Sequence, residues 1–165
     1  MVKQLLIVRH AEARESQAEQ RDFDRNLTPR GYQDAVRVGD FLKQQSWQPD
    51  LIICSSAVRA KATAQMIAEQ LRYSQQRIQA IQDLYDGSLR TFLAVINKQD
   101  ENVERIMAVG HNPTVSYLLE YLTGDEVGNV VPGGLALVKL TVEQWAEVSQ
   151  RTGSLLWYKL PQNLT

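Results

Sequence analysis

Short apolar runs separated by helix-length amphipathic stretches limit what this chain can fold into more than any other feature. The runs are Leu5 to Val8, Leu51 to Cys54, a weaker Ile78 to Ile81, Ile106 to Val109, Leu135 to Leu140 and Leu155 to Leu160. Each has the length of a strand, and the segments between the earlier ones carry apolar residues at spacings of three and four, so strand alternates with helix. Such alternation predicts an α/β fold with a mostly parallel central sheet and helices on both faces. At 165 residues the chain reads as one domain spanning residues 1–165, with no repeat, linker or low-complexity tract.

The helix starts are marked. Thr28 is a good N-cap ahead of Pro29, with Tyr32, Ala35, Val36, Gly39 and Leu42 on one face. A second helix follows Ser55 or Ser56 and carries Ala60, Ala64, Ile67 and Leu71. Ser88 caps a third, with Leu89, Phe92, Leu93 and Ile96 in one stripe. Asn112 and Pro113 repeat the cap-then-proline start, and Val115, Leu118, Leu119 and Leu122 follow before Gly124. These stripes are core faces. The polar, charge-rich stretch from Ala11 to Asn26 reads as a solvated loop, placed after the first strand where it can form the rim of a site.

Both histidines of the chain stand at the end of an apolar run: His10 closes LLIVRH and His111 closes IMAVGH. The C-terminal ends of parallel strands are where open α/β sheets bind ligands, so the two imidazoles are expected to share one site. Arg9 precedes His10, and Arg59 falls in the first turn of the helix after the second strand. Arginine presents a rigid fork suited to phosphate or carboxylate oxygens, and a helix beginning at Asn112 would add backbone N–H groups. Anion binding is the chemistry on which these groups converge.

Composition removes other classes. With 18 basic and 19 acidic residues the net charge is -1, which leaves no global excess for holding nucleic acid. One cysteine and two histidines cannot build a zinc framework. Leu5 to Val8 is too short for a signal-peptide core or a membrane span, and the expected setting is the reducing cytoplasm. There is no Walker-type loop, no G-x-G-x-x-G after the first strand and no H-E-x-x-H. Cys54 and Arg59 do not make a tyrosine-phosphatase loop, because four residues separate them where that loop has five and the glycines are missing. Cys54 is a small buried strand residue.

Four elements, Leu5-Leu6-Ile7-Val8-Arg9-His10, Leu27-Thr28-Pro29-Arg30-Gly31, Ser55-Ser56-Ala57-Val58-Arg59-Ala60-Lys61-Ala62-Thr63-Ala64 and Val109-Gly110-His111-Asn112, resemble the ordered signature of the histidine phosphatase, or phosphoglycerate mutase-like, superfamily. Within it the short chain is most similar to the SixA-type phosphohistidine phosphatases. The resemblance implies a phosphoglycerate mutase-like fold, His10 as the nucleophile that takes up a phosphoryl group, and a phosphate pocket of Arg9, Arg59 and His111, with no metal or cofactor. It also implies that Arg25 touches phosphate or ties down the loop. The family's usual glycine after the Arg-His pair is Ala11 here. The slot in which many members carry an acidic proton donor holds Asp83, with Asp86 as a rival.

The implied substrate is phosphohistidine on a protein such as a phosphotransfer domain, since 165 residues leave little for a lid. Two alternatives stay open at this point: a small phosphate ester as substrate, and a module that binds a phosphorylated ligand without catalysis. A nucleophile beside the arginines favours an enzyme.

Overall fold

A computed structural model describes residues 2–164. Its strands form one six-stranded sheet in the order β3-β2-β4-β1-β5-β6. The strands are β1 (Lys3–Arg9), β2 (Leu51–Ser55), β3 (Gln79–Ile81), β4 (Arg105–Gly110), β5 (Leu135–Leu140) and β6 (Gly153–Lys159). β1 through β4 pair in parallel, and β5 and β6 add an antiparallel edge beside β1. The sheet is therefore mostly parallel. Helices α1 (Pro29–Gln44), α2 (Val58–Gln70), α4 (Leu89–Asn97) and α5 (Thr114–Thr123), with the single turn α3 (Asp83–Asp86), fill the connections.

Successive side chains of a strand point to opposite faces, and this splits the core in two. Leu5, Ile7, Ile53 and Ala108 pack with Phe92, Ile96, Val115, Leu118 and Leu122 of α4 and α5. Leu6, Val8, Ile52, Cys54 and Val109 pack with Val38, Leu42, Ala60, Ala64 and Ile67 of α1 and α2 on the other face. The continuous apolar strands follow from this, because both faces of the parallel half are covered. Cys54 is fully buried, and burial pushes its thiol up to about 12, which makes it an inert packing group.

The helix signals hold with two corrections. Thr28 caps α1 by accepting the Gly31 N–H at 3.0 Å, and Ser88 accepts from Thr91 at the start of α4. In α1, however, Val38 is buried with Ala35, Gly39 and Leu42, while Val36 is only half-buried. Gly39 is needed there, since a Cβ would come within 2.7 Å of the Gln70 side chain on α2. The second correction concerns α5, which begins at Thr114 rather than Pro113. Asn112 does not cap it: its amide donates to the Val130 carbonyl and its Oδ1 accepts from Ser116, so this side chain ties a loop instead. No helix among the described residues is long and apolar enough to cross a membrane.

Candidate active site

The register of the sheet brings the two histidines together. Arg9 and Gly110 are paired residues of β1 and β4, so His10 and His111 leave adjacent parallel strands at the same level. The His10 N–H also donates to the Gly110 carbonyl at 3.0 Å. Their ring centroids lie 5.0 Å apart, well inside the distance at which both can touch one small anion.

The backbone below His10 is clamped from the antiparallel side. Gly133 N–H donates to the carbonyls of Arg9 (3.1 Å) and His10 (3.0 Å), in a turn where φ of +77° calls for glycine. Ala11 is fully buried and donates its N–H to Thr63 Oγ1 at 3.0 Å, and Thr63 in turn donates to the Arg59 carbonyl at 2.8 Å. Ala11 is not among the residues with positive φ, so its backbone accommodates a Cβ.

His10 is 8% exposed, and its Nδ1 lies 2.8 Å from the Ala11 carbonyl. A carbonyl only accepts, so Nδ1 carries the hydrogen and Nε2 keeps a lone pair. Burial pushes the His10 pKa down to about 3, against a smaller upward pull from the Ala11 bond and with further lowering by His111, Arg59 and Arg9. Burial likewise pushes His111 down to about 4, with Arg59, Arg9 and Arg25 lowering it further and Asp22 opposing them. Two neutral imidazoles thus face cationic neighbours.

Three buried side-chain nitrogens lack a hydrogen-bond partner among the described residues, and all belong to this cluster: Arg9 Nε, Arg59 Nε and His111 Nδ1. Other atoms of the same groups are anchored. Arg9 Nη1 donates to the Val130 carbonyl at 2.9 Å. Arg59 Nη1 and Nη2 donate to the carbonyl (2.8 Å) and carboxylate (3.0 Å) of Asp22. His111 Nε2 is 2.7 Å from Ser55 Oγ.

Around this floor runs a rim built from the 11–26 stretch and α3. Asp22, in a 3-10 turn at Asp22–Asp24, also accepts from the Tyr85 hydroxyl (2.9 Å) and from Arg25 Nη1 (2.9 Å). Burial pulls the Asp22 carboxyl upward, but bonds from Arg25, Tyr85 and Arg59 outweigh it and hold the group well below the usual carboxylate range. The Tyr85 ring stands edge-on to His111, with centroids 5.6 Å apart. Arg25 Nε donates to the Arg14 carbonyl at 2.6 Å, so of its two expected roles the loop tie is the one its contacts display. Asp83 and Asp86 are exposed on α3, and it is Tyr85 between them that reaches the cluster. A cleft of about 330 Å³ lined by Arg21, Asp22, Phe23, Gln82 and Tyr85 opens beside the rim.

Arg9, His10, Arg59 and His111, named from sequence, are gathered in one place. Asp22, Tyr85 and the Ser55 side chain were not singled out. The motif around Ser55 was visible, but Asp22 and Tyr85 left only the weak signal of polar residues flanking Arg25 and Asp83. Among the described residues no group of three or more His, Cys, Asp or Glu side chains is arranged to hold a metal ion.

The fold that carries these residues recurs in known proteins. The SixA phosphohistidine phosphatase assigned in Agrobacterium tumefaciens superposes with a TM-score of 0.83 at 28% identity, covering 98% of this chain and 99% of that one. A protein histidine phosphatase SixA complexed with tungstate gives a TM-score of 0.84 at 24% identity, with 98% and 99% covered, and shares the fold. A Mycobacterium tuberculosis protein is 29% identical over 153 residues, 86% of this chain and 92% of its own. The sequence pattern of the histidine phosphatase superfamily (branch 1) matches residues 5–91, from the β1 strand through the Arg59 helix to the start of α4, and the chain belongs to that superfamily.

Proposed function

We propose that the protein is a metal-independent cytoplasmic phosphatase that removes the phosphoryl group from phosphohistidine on a partner protein, with His10 as nucleophile. The observation that carries this reading is the set of three unpartnered buried nitrogens, Arg9 Nε, Arg59 Nε and His111 Nδ1, gathered around a neutral imidazole with a bare Nε2. Buried donors are left unmet only at a cost, and an oxyanion among them would meet all three. Phosphoryl transfer asks for this arrangement, because its transition state spreads negative charge over three equatorial oxygens and needs positioned donors more than covalent machinery.

In the first step the Nε2 lone pair of His10 forms a bond to phosphorus as the P–N bond of the substrate breaks. The departing imidazole keeps the electron pair and takes up a proton from solvent, while His10 keeps its Nδ1 hydrogen. In the second step water attacks phospho-His10, the new N–P bond breaks with its electrons returning to Nε2, and inorganic phosphate leaves. Arg9, Arg59 and His111 hold the oxygens throughout, and Arg25 adds positive potential from the rim. An imidazole leaving group is itself protonatable, so it needs little help, whereas an alkoxide needs a proton donor, a role assigned here to Asp83.

The test is phosphate release from a phosphohistidine-bearing phosphotransfer domain beside a panel of sugar and nucleotide phosphates, with and without a chelator. Faster turnover of the phosphoprotein, unaffected by chelation, is expected. Preference for an ester would replace the substrate assignment with the small-molecule alternative, and loss of activity on chelation with recovery on adding a divalent cation would overturn metal independence.

A further inference from the structure

Ser55 is the last residue of β2, is fully buried, and its hydroxyl touches both the residue just before α2 and the second histidine. The Ala57 N–H donates to Ser55 Oγ at 3.1 Å, and His111 Nε2 lies 2.7 Å from the same oxygen. A hydroxyl has one hydrogen to donate and two lone pairs to accept with. The Ala57 amide takes one lone pair, and the hydrogen still has to be placed.

Only one placement leaves the hydroxyl satisfied. Were His111 protonated on Nε2, that N–H would donate to Ser55, and the serine hydrogen would be buried with no acceptor among the described residues. With the serine donating to Nε2, the hydroxyl is fully matched and the imidazole hydrogen sits on Nδ1. Nδ1 is the buried atom that has no partner among the described residues.

We infer that Ser55 is a positioning residue that fixes His111 as the Nδ1–H tautomer, so that the ring presents a donor rather than a lone pair to a phosphoryl oxygen. The second half of this inference rests on the phosphatase reading above; the first half does not. His10 is set by a different device and to the opposite end. Its Nδ1 hydrogen is given to the Ala11 carbonyl and its bare Nε2 is what remains. Two identical rings, 5.0 Å apart, are thereby assigned a lone pair and a hydrogen by their second neighbours alone.

The chain holds two histidines, so protein labelled with 15N in histidine yields two ring systems, assignable with a His111→Gln variant. Long-range 1H–15N correlation at pH 7.5, in buffer free of phosphate, is expected to find both rings neutral and both protonated on Nδ1. In Ser55→Ala the His111 ring is expected to move toward the Nε2–H form while His10 keeps its pattern. Phosphate release from p-nitrophenyl phosphate should fall roughly 10- to 100-fold, as when a partner that orients a functional histidine is lost. An Nε2–H His111 in the unsubstituted protein, or an unchanged His111 pattern in Ser55→Ala, would overturn the role of Ser55. Failure of the unsubstituted protein to release phosphate from both p-nitrophenyl phosphate and a phosphohistidine-bearing protein would instead refute the phosphatase reading, and the ring pattern would still decide the tautomer.

Discussion

The floor and the rim of the site are built by different means. Every floor group sits on or next to regular structure: Arg9 and His10 at the end of β1, His111 after β4, Ser55 at the end of β2 and Arg59 in the first turn of α2. Backbone hydrogen bonds fix the two strand ends, from His10 to Gly110 and from Gly133 to Arg9 and His10. The rim is tied to the floor by side chains. Asp22 is half exposed and gathers Arg25, Arg59 and Tyr85 from three separate stretches of chain. Rigid backbone is what preorganised donors require, whereas a rim of exchangeable ion pairs can yield to an incoming partner. The contrast assigns chemistry to the floor and access to the rim.

If the division is right, substitutions in the floor should have the largest effects. His111→Ala and Arg59→Ala should each lower kcat/KM for phosphate release by roughly 100- to 1000-fold, the cost of one transition-state donor. Steady-state kinetics on both variants checks this, and a loss below about tenfold in either would remove that residue from the floor.

The next effect is on stability. The pKa values of His10 and His111 lie near 3 and near 4 in the folded protein, below the 6.5 of an ordinary imidazole. Between those limits the unfolded chain binds more protons than the folded one, so unfolding is favoured as pH falls. This contribution is fully present above about pH 6.5 and is lost toward pH 3, at most about 8 kcal/mol in all. The Asp22 carboxylate, also depressed, adds a loss only once pH falls below its ordinary value of 3.8. Urea unfolding from pH 7.5 to 4.5 should therefore be dominated by the floor, with the Asp34 carboxyl, which burial pushes up, opposing it toward the acid end. His10→Gln should flatten that slope, and an unchanged slope would contradict the burial of a neutral His10.

The smallest effect belongs to the rim. Asp22→Asn removes the negative charge from Arg59 while keeping a hydrogen-bonding side chain. Inorganic phosphate should then bind about two- to fivefold more tightly, the scale of a partly exposed ion pair. Titration calorimetry would read it, and a loss of affinity beyond tenfold would place Asp22 with the floor.

The same division governs what could be read from the sequence. β1 and β4 announce themselves as LLIV and IMAV, and once they are neighbours in register His10 and His111 must emerge side by side. Helix phase was nearly as legible, except that Val38, about 200° of helix rotation from Val36, takes the buried place in α1. Asn112 misled because its amide is used by the Val130 carbonyl, a long-range contact that outcompetes capping. Asp22 and Tyr85 were not legible for the same reason: their meaning lies in bonds spanning 37 and 63 residues, from Asp22 to Arg59 and to Tyr85, which no local pattern encodes. Asp83 and Arg25 were read from resemblance, and the contacts seen give Arg25 a loop tie and put Tyr85, not Asp83, against His111.

The central claim is that the bare Nε2 of His10 attacks phosphorus. Rapid-quench mass spectrometry of the protein during turnover of a phosphohistidine-bearing protein tests it most directly. The account predicts an acid-labile, base-stable phosphoryl adduct on His10, absent from an inactive His10→Ala variant. Turnover with no adduct on His10, or turnover retained by His10→Ala, would contradict it and leave direct attack by water on the substrate.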